Sequence, residues 1–66
     1  MKGFITRDSD DKLFLYQKPP IKTEKEWKLA SNLDIVFTID EDLFPEVKWE
    51  DEEPTEINIE IVNKKQ

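Results

Sequence analysis

Lys2-Gly3-Phe4-Ile5-Thr6-Arg7-Asp8-Ser9-Asp10-Asp11-Lys12-Leu13-Phe14-Leu15-Tyr16-Gln17 reads as a β-hairpin. Lys2 to Arg7 and Lys12 to Gln17 are short runs rich in β-formers. Between them, Asp8-Ser9-Asp10-Asp11 supplies four side chains that bond their own backbone and favour a turn. Leu13-Phe14-Leu15-Tyr16 is a continuous apolar run, which suits a strand covered on both faces or wrapped into a small barrel.

Working outward, Pro19-Pro20 ends the second strand: Pro20 has no donor, and it forces Pro19 to be extended. Ile21 to Glu26 reads as a polar connection. Thr23-Glu24-Lys25-Glu26 matches a capping box that would open a helix through Ala30. The competing reading is a short strand, Glu26 to Leu29, followed by a turn at Ser31-Asn32. The strand is preferred, because such a helix would span barely two turns and bury little.

Ile35-Val36-Phe37-Thr38-Ile39 is expected to be the central strand, with Ile35, Phe37 and Ile39 on one face. Asp40-Glu41-Asp42-Leu43-Phe44 reads as one capped helical turn near 40–45 that Pro45 stops. Leu43, Phe44 and Val47 are then placed to plug the core. Glu50-Asp51-Glu52-Glu53 repel one another and should lie in solvent, with Pro54 closing the run. Ile57-Asn58-Ile59-Glu60-Ile61 alternates strictly, as a half-buried strand does. Val62 could extend it, and 63–66 reads as a frayed tail.

The expected fold is all-β, or β-rich α+β. Four to five antiparallel strands form a small sheet or an open barrel, with one short helical turn, in a single domain over residues 1–62. A chain of 66 residues buries only about 60% of the surface its unfolded form exposes. Pairing of two copies into a homodimer would relieve the shortage of core.

Composition removes most chemistries. There is no histidine and no cysteine, hence no Cys–His pair, no Ser–His–Asp triad, no disulfide and no thiolate metal site. Gly3 is the only glycine, so no glycine-rich phosphate loop exists. Asp8-Ser9-Asp10-Asp11-Lys12 begins like a calcium loop but continues with Lys12, Leu13 and Pro19 where that loop needs an Asp or Asn, a Gly and a Glu. Paired carboxylates could in principle serve acid–base work. Nine acids between Asp40 and Glu56 make any particular pair uninformative. The expectation is a non-enzymatic chain without cofactor or metal.

The net charge of −6 is unevenly spread, at +2 over residues 1–33 and −8 over residues 34–66. That field opposes direct nucleic-acid binding and favours a basic protein surface as partner. No apolar run is long enough to span a membrane, and the first residues lack the apolar stretch of a secretion signal. The expected location is the cytoplasm. Two roles remain. One is an interaction module, binding a protein through Trp49 with Glu50, Asp51, Glu52, Glu53 and Glu56, through Trp27, or through an exposed sheet edge. The other is an acidic mimic of nucleic acid that occupies a basic DNA- or RNA-binding protein.

Lys2 to Asp8, Leu13-Phe14-Leu15, and Asp42-Leu43-Phe44-Pro45-Glu46-Val47-Lys48-Trp49-Glu50-Asp51-Glu52-Glu53-Pro54-Thr55-Glu56 together resemble a group of small accessory proteins. These are encoded in phages, prophages and mobile elements of gut anaerobes and have no established activity. The resemblance covers most of the chain and is sharpest over 42–56. It departs at Asp10-Asp11-Lys12, where that group tends to carry a glycine, which leaves the turn type open but not the hairpin. It implies a dispensable accessory role in the cytoplasm of an infected or lysogenic host, and it transfers no site residue.

Overall fold

The structure, a computed structural model, describes residues 1–60. These form six strands and no helix: β1 Lys2–Arg7, β2 Leu13–Tyr16, β3 Ile21–Lys22, β4 Trp27–Lys28, β5 Val36–Ile39 and β6 Thr55–Asn58. Four of them make one antiparallel sheet in the order β5-β2-β1-β6, and β3 and β4 make a separate two-stranded hairpin. The fold is therefore all-β, and its main sheet stays open rather than closing into a barrel. The expected extension through Ile61 and Val62, and the tail 63–66, lie outside the described residues.

The first hairpin forms as its sequence requires. Phe4 pairs with Tyr16 and Arg7 with Leu13. Asp11 N–H donates to the Asp8 carbonyl at 3.0 Å and Asp8 N–H to the Lys12 carbonyl at 2.9 Å. Asp11 takes a positive φ of 71°. This is a type I turn followed by a left-handed residue, the usual three-residue hairpin loop. β6 pairs on the other side of β1, Gly3 opposite Ile57 and Ile5 opposite Thr55.

Alternation then sorts the side chains. Ile5, Leu13, Leu15, Ile39 and Ile57 share one face. Phe44 and Val47 from the connection between β5 and β6 pack on it, and Ile5, Leu13 and Val47 are fully buried there. Thr6 and Tyr16 lie on the opposite face, where the β3–β4 hairpin docks. The Tyr16 hydroxyl donates to the Trp27 carbonyl at 3.1 Å, and Trp27 N–H donates to Asp8 Oδ1 at 3.0 Å. Burial pushes the Tyr16 phenol above its ordinary pKa, so it stays a donor. Trp27 is buried, as a small core requires of a large aromatic.

Three expectations need correction. The segment Ile21 to Glu26 is not merely a connection, because Ile21 and Lys22 form β3 against Lys28 and Trp27. Thr23 closes that hairpin instead of capping a helix: its Oγ1 accepts from Glu26 N–H at 3.1 Å and donates to the Glu26 carbonyl at 2.7 Å. The preferred strand is thus present as β4. The single capped turn expected near 40–45 is present, with Asp40 Oδ1 accepting from Asp42 N–H at 2.9 Å. Leu43 N–H reaches the Asp40 carbonyl, Val47 N–H that of Phe44, and Asp51 N–H that of Lys48. These are three separate turns, with Pro45 interrupting any run of helical donors. Secondly, Leu43 does not plug the core but stays half exposed. Lastly, β5 is not central. Among the described residues it pairs with β2 alone and forms one edge of the sheet.

Candidate functional site

The site expected from sequence, Trp49 with its acidic neighbours, is held by Lys22. Lys22 Nζ donates to the carbonyls of Trp49 at 2.6 Å and Asp51 at 2.7 Å. The same ammonium lies 4.3 Å from the Trp49 ring centroid and 5.6 Å from that of Trp27, within the range of cation–π attraction. Asp51 turns inward, its Oδ2 accepting from Lys48 N–H at 3.0 Å. Trp49 is half-buried, while Glu50, Glu52 and Glu53 are exposed. Glu56 stands apart on β6, 3.6 Å from Lys2 Nζ. The expected residues therefore divide: Trp49 and Asp51 hold a turn, Glu50, Glu52 and Glu53 face solvent, and Glu56 guards a strand. Among the described residues no three carboxylates converge in a way that could hold a metal ion.

An open groove runs between the 9–11 turn and the 41–50 connection, with Arg7 in its lining. The guanidinium is not free to receive a ligand. Its N–H groups donate to the carbonyls of Val47, Asp11, Glu41, Leu43 and Phe44 at 2.7–3.2 Å, which uses all five donors a guanidinium has.

The two edges of the main sheet differ. Gln17 N–H donates to the Ile35 carbonyl at 3.3 Å. In an antiparallel ladder this directs the main-chain groups of residues 35, 37 and 39 toward β2, and those of Val36 and Thr38 outward. No hydrogen bond among the described residues reaches those outward groups. On β6 the outward positions fall at Glu56 and Asn58, and Glu56 is paired with Lys2. Charge at a strand edge is a common protection against unwanted pairing. β5, Val-Phe-Thr-Ile, carries no charge at all.

β5 is also apolar and open. Ile35 and Phe37 are each 48% exposed and Val36 is 39% exposed, with Leu33 almost fully so beside them. The strand is held between two fixed turns. Asp34 N–H donates to the Ser31 carbonyl at 3.1 Å, and Asp40 Oδ1 accepts from Asp42 N–H at 2.9 Å. A backbone set extended in this way loses little further freedom on accepting a neighbour.

An exposed edge was expected as one way to bind a partner, but its position was not. Ile35, Val36 and Phe37 read as core because they are apolar and alternate, and alternation reports which face a side chain takes, not how many neighbours its strand has. The available signal lay further along, in the polar, turn-rich residues 40–54 that carry the chain across the sheet to the opposite edge. Among the described residues no helix is long and apolar enough to cross a membrane. Compared with known protein families, with curated protein sequences and with solved structures, this chain matches none.

Proposed function

We propose that this chain is a small non-enzymatic interaction module that captures an extended segment of another protein by strand addition to β5. The observation that carries this reading is the outward-facing, unbonded main chain of Val36 and Thr38 in an apolar, uncharged edge strand. Main-chain hydrogen bonds would supply affinity, and the half-exposed Ile35 and Phe37 would supply side-chain contacts on the core face. The resemblance to phage and prophage accessory proteins fits such a role, with a host protein in the cytoplasm as the target.

The test is a peptide-display library panned on the wild-type chain and on Val36→Pro. Proline at an outward position removes one edge donor and leaves the ladder to β2 in place. Sequences retained by the wild type and lost on the variant are expected. Binders common to both proteins, or no binders, would overturn the reading. Binders that depend on Glu50, Glu52 and Glu53 and are stripped by salt would favour the acidic mimic of nucleic acid instead.

A further inference from the structure

One edge of β5 is already filled, and its occupant displays what β5 accepts. The register sets Leu13 opposite Ile39 and Leu15 opposite Phe37, and it continues with Gln17 bonded to Ile35. One step further at each end, the same register places Lys12 opposite Asp40 and Lys18 opposite Asp34. β2 with its flanks thus reads Lys-Leu-x-Leu-x-Gln-Lys against Asp-Ile-x-Phe-x-Ile-Asp.

Resting on the strand-addition reading, we infer that the segment captured on the outer edge of β5 is an antiparallel heptad with Lys or Arg at its first and last positions and apolar side chains at its second and fourth. The two basic residues lie about 20 Å apart, the length of six strand steps. They fall opposite Asp40 and Asp34. Side chains at the second, fourth and sixth positions continue the core face beside Ile39, Phe37 and Ile35, with the second and fourth apolar as Leu13 and Leu15 are in β2.

The charge at the two aspartates is still available. Among the described residues neither Asp34 nor Asp40 has a cationic nitrogen within 4.0 Å, although Lys18 and Lys12 occupy the facing positions. Opposite charges facing each other across a strand pair are favourable, and like charges are not.

The same two residues oppose a second copy of this chain as the occupant. A two-fold pairing of β5 with itself centred on Phe37 uses both outward groups, but it sets Asp34 opposite Asp40 of the other copy at both ends. Centred on Val36, the pairing runs into the turn in which Asp34 N–H is already committed to the Ser31 carbonyl.

The probe is a dye-labelled peptide with the sequence of residues 12–18, Lys-Leu-Phe-Leu-Tyr-Gln-Lys, compared by fluorescence anisotropy at low salt with the same peptide carrying Glu at both ends. The wild-type chain is expected to bind the Lys-flanked peptide about tenfold more tightly, the scale of two cross-strand charge pairs gained against two repulsions. An Asp34→Lys, Asp40→Lys double variant is expected to reverse that preference, and Val36→Pro to bind neither peptide. The comparison on the wild type does not depend on any variant folding. If both peptides bind the wild type equally and Val36→Pro loses both, the charge pattern is wrong while strand addition stands. If neither peptide binds, or if Val36→Pro binds as well as the wild type, strand addition at β5 fails and the inference with it. A wild-type chain that sediments as a dimer and is dissociated by Val36→Pro would make the occupant a second copy and overturn the inference.

Discussion

Arg7 Nε lies 2.7 Å from the carbonyl oxygen of Val47, forty positions along the chain. This contact fastens the long connection between β5 and β6 to β1. Val47 is the only residue of that connection to be fully buried, against Ile5 and Leu13, and Arg7 fixes its carbonyl and the backbone that leads up to it. The remaining guanidinium donors reach Asp11, Glu41, Leu43 and Phe44. Phe44 takes a φ of 51°, a left-handed conformation that bulky side chains rarely adopt. Its carbonyl is held by both Arg7 Nη2 and Val47 N–H, which is how so local a strain persists.

Arg7→Lys is expected to destabilise the chain by about 3 kcal/mol. Lysine keeps the charge but cannot present a fixed fork of donors, and charged hydrogen bonds contribute about 1.5–3 kcal/mol each before water replaces part of the loss. Arg7→Ala should cost at least as much. Urea denaturation followed by circular dichroism measures both. A midpoint for Arg7→Lys within error of the wild type would show that the connection is held by Val47 packing alone.

Asp11→Gly is expected to stabilise. Asp11 sits at the left-handed position of the first hairpin turn, where glycine carries no Cβ penalty. Its side chain accepts no hydrogen bond among those formed by the described residues; only its N–H and carbonyl are used. The gain should be about 0.5–1 kcal/mol, a fraction of the left-handed penalty offset by the added freedom of glycine in the unfolded chain. A thermal melt reads it as a rise of a few degrees, and a fall would mean that the Asp11 carboxylate has a role in the turn.

How much of this was legible follows from what each residue answers to. β1, β2 and the Asp8–Asp11 turn answer to their immediate neighbours, so composition and spacing sufficed. β6 declared itself by alternation through Ile57 and Ile59. β3 is only two residues long and leaves no periodic trace, and Thr23 satisfies the same local pattern whether it opens a helix or closes a hairpin. The role of Arg7 could not be read at all, because its acceptors are main-chain carbonyls, which every residue has. For the candidate site, the sequence flagged tryptophan and acids by type. Yet Trp49 is engaged by Lys22, twenty-seven positions away, while the open edge consists of ordinary aliphatic and aromatic residues. Their distinction is topological: among the described residues β5 has one neighbour instead of two.

Lys22→Met is expected to loosen the acidic connection without unfolding the sheet. It removes the donor to the Trp49 and Asp51 carbonyls and the cation over the Trp49 ring, while keeping most of the apolar stem. The cost should be about 1–2 kcal/mol, since two charge-assisted bonds are lost at a partly exposed site. Trp49 emission should shift to longer wavelength as the ring meets water. A Trp27→Phe background isolates the signal, and it forfeits no side-chain bond because the Trp27 Nε1 has no partner among the described residues. An unchanged emission maximum would show that Trp49 is held by something other than Lys22.

Asp8→Asn separates the two parts Asp8 plays. Its Oδ1 accepts the Trp27 N–H and so pins the β3–β4 hairpin to the sheet, but its carboxyl is raised above the ordinary value. Burial is the main cause, partly opposed by the Trp27 N–H, with the charges of Asp10 and Glu26 adding to the rise. A carboxyl raised on folding binds its proton more tightly in the folded chain. Its contribution to stability is therefore fully present below the unfolded value of about 3.8, and it is lost as pH rises through the raised folded value. At neutral pH the ionised group is a burden on the fold, and asparagine keeps the acceptor while removing the charge. Asp8→Asn is expected to be more stable than the wild type at pH 7, with the advantage shrinking as pH falls toward 4. Denaturant midpoints of the two proteins across that range measure the difference. A gap that stays constant with pH would mean that Asp8 does not titrate abnormally. A variant less stable than the wild type at pH 7 would mean that the ionised carboxylate holds Trp27 more strongly than its burial costs.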